Sequence, residues 1–180
     1  VNNWKGSELL IDLVAQNYVC VAFDFRGHGS STSIPDLQQL LDDRSLIVND
    51  FHAVKNYMQN FNHVDPERLG LVGASLGGII AVAGNGYDEV KTSVSLSGTQ
   101  DGIFEIFPDL VPESVLYIAG ENDIHPGANI NFAELAEDMY NMSLEPKKLF
   151  IVPNAQEHGT ELLIRSGVDE EVYNWIVDHL

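Results

Sequence analysis

Gly73-Ala74-Ser75-Leu76-Gly77 follows the apolar run Leu69-Gly70-Leu71-Val72 and precedes Gly78-Ile79-Ile80-Ala81-Val82-Ala83. An apolar run of strand length, a glycine-flanked serine and a second small, apolar run read as a strand, a sharp turn and a helix. The turn is too tight for side chains on either side of the serine, which is why glycines flank it. Its strain lifts the serine hydroxyl clear of the sheet edge, and the helix behind it offers free N–H groups and positive potential. At average glycine and serine usage a bare G-x-S-x-G arises by chance in roughly one chain of this size in twenty. The pentad alone is only moderately specific; its strand–turn–helix setting and the residues downstream decide the reading.

A serine hydroxyl is a poor nucleophile until a base takes its proton and a carboxylate orients that base. Proteins built on this turn place the partners in the order Ser, acid, His, and two later segments fit. Val115-Leu116-Tyr117-Ile118-Ala119 reads as a buried strand running into Gly120-Glu121-Asn122-Asp123. Lys148-Leu149-Phe150-Ile151-Val152-Pro153 reads as another, followed by a loop holding Glu157-His158-Gly159. Asp123 lies 48 residues after Ser75, and His158 lies 35 after Asp123, room for one crossover helix in each interval. All three fall just past strand ends, where open α/β sheets bind ligands. Glu121 is the rival acid, because residues two apart on a strand share a face. His158 competes with His28, which precedes the serine, and with His125, which sits close to Asp123 in sequence.

These residues resemble the α/β-hydrolase family. Phe23-Asp24-Phe25-Arg26-Gly27-His28-Gly29-Ser30 is similar to that family's D-x-R-G-H-G-x-S loop, and Val64-Asp65-Pro66-Glu67-Arg68-Leu69-Gly70-Leu71-Val72-Gly73 is similar to the approach to its nucleophile. The resemblance covers nearly the whole chain, in order. It implies Ser75 as nucleophile, His158 as general base, Asp123 as orienting acid and the backbone N–H of Leu76 as an oxyanion-hole donor.

The wider composition agrees with one domain of 180 residues with an ordinary core, 44% of them hydrophobic. A net charge of −18, from 27 acidic side chains against 9 Lys and Arg, argues against nucleic acid and anionic membrane surfaces. No apolar run approaches the ~20 residues of a membrane span. A single cysteine, Cys20, allows no internal disulfide and leaves the redox compartment open. No His, Asp or Glu spacing marks a metal site, and no cofactor is expected.

Between the motifs, a helix is expected over about Ser7 to Gln16 and a first strand over Tyr18 to Phe25. Ile47, Phe51, Val54, Met58 and Phe61 form one apolar helix face, and Phe132, Leu135, Ala136, Met139 and Tyr140 another. Ser166-Gly167-Val168-Asp169 reads as a capping-box-like start to the last helix. Five strands alternating with helices imply an α/β fold, a mostly parallel sheet with helices on both faces.

The chain departs from the family at its start. The family has strands before the first helix, and the loop entering that helix carries His-Gly and the second oxyanion donor, whereas this chain begins at Val1-Asn2-Asn3-Trp4. In the family's order one missing strand lies between Tyr18–Phe25 and the strand before Ser75, and its loss would expose unpaired backbone. We therefore expect residues 1–180 to be a single catalytic domain, a fragment of a longer protein that lacks its N-terminal strands; the alternative is a sheet that closes differently.

The expected chemistry is acyl transfer to Ser75, then hydrolysis by water activated through His158. The intervals Thr99 to Ser114 and Gly27 to Arg44 span only 16 and 18 residues, too few for a large lid. Small or accessible esters are therefore the expected substrates. Ile103, Phe104, Ile106 and Phe107 could line an acyl pocket or pack their loop down. The surroundings of His158 resemble lid-poor bacterial esterases and dienelactone-hydrolase-like proteins, though dienelactone hydrolase proper uses a cysteine nucleophile. A prolyl-oligopeptidase-like peptidase core and a non-catalytic binding module on the same fold are the alternatives.

Overall fold

Parallel strands covered on both faces need no polar alternation, and four such runs form one sheet. The computed structural model describes residues 3–87, 89–100, 102–125 and 127–180, so that Val1 and Asn2 lie outside it. The chain divides into two compact units, Val1–Pro66 and Glu67–Leu180. In the first unit are helices α1 (Glu8–Ala15), α2 (Gln38–Asp42) and α3 (Ser45–Met58). The second holds β1 (Leu69–Ala74), α4 (Leu76–Ala83), β2 (Val90–Leu96), α5 (Ile103–Ile106) and β3 (Glu113–Gly120). It continues through a small hairpin of β4 (Ile124–His125) and β5 (Ile130–Asn131) into α6 (Phe132–Met142), β6 (Leu144–Val152) and α7 (Val168–His179).

The sheet order is β1-β2-β3-β6, with every neighbour parallel. Ala74 lies opposite Leu96, Leu96 opposite Ile118 and Ile118 opposite Phe150, so the carboxyl ends finish nearly flush along one edge. Val115 to Ala119 in β3 are 0% exposed. Burying each large apolar side chain there contributes about 1.5–3 kcal/mol relative to leaving it in water.

Alternate residues of β2 tell which helix covers which face. Ser95 Oγ donates to Gly78 O in α4, whereas Thr92 Oγ1 accepts from Trp175 Nε1 in α7. Positions 92 and 95 point oppositely, so α4 and α7 lie on opposite faces. Tyr117, the register partner of Ser95, hydrogen-bonds through its hydroxyl to Ser143 just past α6, which puts α6 on the α4 face. This is the α/β architecture expected, a parallel sheet with helices on both sides.

Three local expectations are corrected. Tyr18–Phe25, expected as the first strand, has no regular secondary structure and belongs to no sheet among the described residues. Among the described residues no strand offers it a ladder; Tyr18 N–H donates back to Leu13 O, and the turn after it is held by Arg26 on Asp50. The apolar face of α3 ends at Met58, and Phe61 lies beyond it with its ring edge-on to Tyr57 at 5.2 Å. At α7 the N-cap is Gly167 at φ 83, with no side-chain cap, because Ser166 stands one residue too early.

Candidate active site

The serine corner follows directly from its glycines. Ser75 joins β1 to α4 with φ 53 and ψ −115, a backbone state that a non-glycine residue adopts at a cost of about 1–3 kcal/mol. A Cβ on Gly73 would come 1.8 Å from Gly77 O, so only glycine lets the chain double back there. The corner is pinned because Ser75 N–H donates to Leu96 O at 2.8 Å, extending the β1–β2 ladder by one residue. Leu76 opens α4, where the first N–H groups have no intrahelical acceptor.

The same stitch recurs across the edge. Ser97 N–H donates to Ile118 O at 2.8 Å, and Glu121 N–H to Val152 O at 3.0 Å. Each strand end is thereby fixed to its neighbour, and the loops leave from a rigid line. Beyond β3 the chain turns through Asp123 N–H to Gly120 O, and Asn122 N–H reaches Ala155 O at 2.8 Å in the loop after β6. This brings the two loops together and sets Asp123 against His158.

His158 Nδ1 lies 2.9 Å from Asp123 Oδ2 and 3.1 Å from Oδ1. An ionised carboxylate only accepts, so Nδ1–H donates and Nε2 keeps its lone pair. Asp123 is 3% exposed, while the imidazole is partly open to solvent. Phe132 packs against the imidazole with ring centroids 4.4 Å apart, and its own N–H donates to Asp123 O at 3.0 Å. The next residue, Gly159 at φ +60, abuts the corner: a Cβ there would lie 3.6 Å from Ser75 N and 3.7 Å from Ser75 Cβ.

The rival groups are engaged elsewhere. Glu121 accepts Asn154 N–H at 2.7 Å, so it steadies the histidine loop rather than the histidine. His125 is exposed in β4, its Nδ1 accepting Gly127 N–H. His28, in the first unit, donates from Nδ1 to Arg26 O at 3.2 Å. Glu157 pairs with Arg165 at 2.7 Å, and that guanidinium hydrogen bond holds its carboxyl below the ordinary carboxylate range.

Among the four residues expected near an acyl pocket, Ile103 is fully buried. Phe107 meets Gly86 and stacks edge-on with Tyr87 at 5.6 Å. These two pack their loop down, while Phe104 and Ile106 remain half-buried. Among the described residues no group of His, Cys, Asp and Glu converges as a metal site, and no helix is long and apolar enough to cross a membrane. Phe132 and Ser97 were not singled out from the sequence. Phe132 reads there as one member of a helix face, and Ser97 is recognisable only as a small polar residue following a strand on this edge.

Residues 3–163 match the alpha/beta hydrolase family, and the chain belongs to it. It is 29% identical over 188 residues to the uncharacterised protein YfhR of Escherichia coli O157:H7, covering 93% of this chain and 63% of that one. Thus the chain spans less than two thirds of that relative's length. Among solved structures, dienelactone hydrolase from Anabaena variabilis superposes with TM-score 0.60 at 22% identity, over 77% of this chain and 62% of that one. The esterase domain of a Rhodothermus marinus protein does so with TM-score 0.53 at 16% identity, over 73% and 69% respectively. The fold is the one these structures share.

Proposed function

We propose that the protein is a serine hydrolase that cleaves carboxylic esters of small or accessible substrates through an acyl-enzyme on Ser75. The observation that carries this reading is the strained Ser75 corner on the same sheet edge as a buried carboxylate hydrogen-bonded to the Nδ1 side of His158. A structural serine would gain nothing from a left-handed backbone that glycine adopts freely.

In this mechanism Ser75 Oγ attacks the acyl carbon while its proton passes to His158 Nε2, the nitrogen that the Asp123 contact leaves unprotonated. The tetrahedral oxyanion is met by Leu76 N–H at the head of α4; such a donor is worth about 2.7–4 kcal/mol in the transition state. The imidazolium returns its proton to the departing alkoxide, which leaves as the alcohol and the acyl group stays on Ser75. Water then attacks the acyl carbon, gives its proton to Nε2, and Ser75 leaves as its re-protonated hydroxyl with release of the acid. Asp123 stays ionised throughout and stabilises the imidazolium. The half-buried Phe104 and Ile106 are the candidate wall for the acyl chain, and the short 102–112 segment favours small esters.

The test is labelling by a fluorophosphonate probe together with turnover of a short-chain p-nitrophenyl ester. Ser75→Ala should abolish labelling and lower kcat by about a thousandfold or more, His158→Ala nearly as much, and the double variant little further, because the three groups act as a unit. Comparable turnover in Ser75→Ala would assign the chemistry to another residue.

A further inference from the structure

Ser97, one residue past the carboxyl end of β2, is buried and takes no part in the mechanism above. Its φ of 49 lies in the left-handed region, where glycine or asparagine is the relaxed choice. A strained, buried serine on a rigid sheet edge calls for a use of its hydroxyl. That use is visible: Gly159 N–H donates to Ser97 Oγ at 3.0 Å, in a buried bond across 62 residues of sequence. Gly159 directly follows His158 and lies against the backbone and Cβ of Ser75. Ser97 N–H is in turn fixed to Ile118 O in β3, the strand that leads to Asp123. The hydroxyl therefore sits where the nucleophile corner, the acid strand and the histidine loop meet.

We propose that Ser97 is a positioning residue: its hydroxyl anchors the His158–Gly159 peptide and sets the distance of the imidazole from Ser75. The Asp123 bond fixes which nitrogen carries the proton and how the ring is turned. It does not fix how far the loop stands from the serine corner, because Asp123 and His158 both lie on loops. Ser97 supplies that reference because its own N–H is tied to Ile118 O in β3. This inference rests on the reading of Ser75 and His158 as nucleophile and base.

Two variants separate positioning from mere stability. Ser97→Gly relaxes the left-handed backbone and removes the acceptor, whereas Ser97→Ala removes the acceptor and keeps the strain. Ser97→Gly should therefore melt at a higher temperature than Ser97→Ala, yet both should lose kcat by about 10- to 100-fold with KM little changed, the cost of misplacing a reacting group by about an ångström. Their fluorophosphonate labelling rates should fall in parallel. Activity that follows the melting temperatures, or wild-type kcat in Ser97→Gly with Ser75 still labelled, would overturn the positioning role alone. A wild-type protein whose Ser75 does not label, and whose turnover survives Ser75→Ala, would overturn the reading beneath it and this inference with it.

Discussion

Tyr18–Phe25 and Val115–Ala119 look alike as sequence: both are largely apolar runs of strand length that lead into a turn bearing a charged residue. In the folded protein they differ completely. Val115 to Ile118 have neighbours in register on both sides, Ser93 to Leu96 in β2 and Lys147 to Phe150 in β6, and helices above and below. Among the described residues Tyr18–Phe25 has no ladder, and Val19 and Val21 are 47% and 48% exposed. Phe23 and Phe25, two apart, pack edge-on against each other at 5.0 Å instead. The turns differ in the same way. Arg26 is held by Asp50 within its own unit, whereas Asp123 reaches a histidine 35 residues away because parallel neighbours bring the ends of β3 and β6 together. A run's composition gives it the capacity to be a strand, but a partner of matching length decides whether it becomes one, since unpaired N–H and C=O groups cannot be buried.

The end of β3 offers the largest way to break this contrast. Asp123→Asn should lower kcat by about 10⁴ while the fold survives, since the amide permits the wrong tautomer of His158. Glu121→Gln keeps an oxygen for Asn154 N–H and should cost less than about tenfold. Steady-state kinetics on the two variants decide it; equal losses would mean that both acids serve the histidine.

Within the runs themselves, Leu116→Ala should destabilise by about 2–5 kcal/mol in urea unfolding, because it opens a cavity in a strand covered on both faces. Val21→Ala should stay within about 0.5 kcal/mol. A Val21 variant as costly as the Leu116 one would show that Tyr18–Phe25 is enclosed as firmly as β3.

The smallest effect concerns the histidine loop at low pH. Glu157 has its carboxyl lowered by Arg165 from an ordinary value of 4.5. Its contribution is therefore fully present above that ordinary value and is lost as pH falls through the lower, folded value. Melting curves should thus drop more steeply below about pH 4.5 in the wild type than in Arg165→Gln, in which the pair is absent. Identical slopes would remove this ion pair from the loop's stability.

Much of the site was legible in the chain because its signals are local. A glycine-flanked serine between two apolar runs demands a tight corner, as the backbone collision at Gly73 demonstrates, and apolar runs without charge foretell a sheet covered on both sides. The position of Asp123 and His158 just past strand ends was likewise readable. What the chain alone left open depended on contacts between distant residues. Whether Glu121 or Asp123 faces the histidine was decided by where Asn154 and His158 came to rest over the end of β3. Ser97 acquired its meaning only when β2 lay beside β1 and offered a hydroxyl to Gly159. Tyr18–Phe25 failed to become a strand for the same reason: periodicity is a property of one segment, but a ladder needs two, and only the tertiary structure supplies the second.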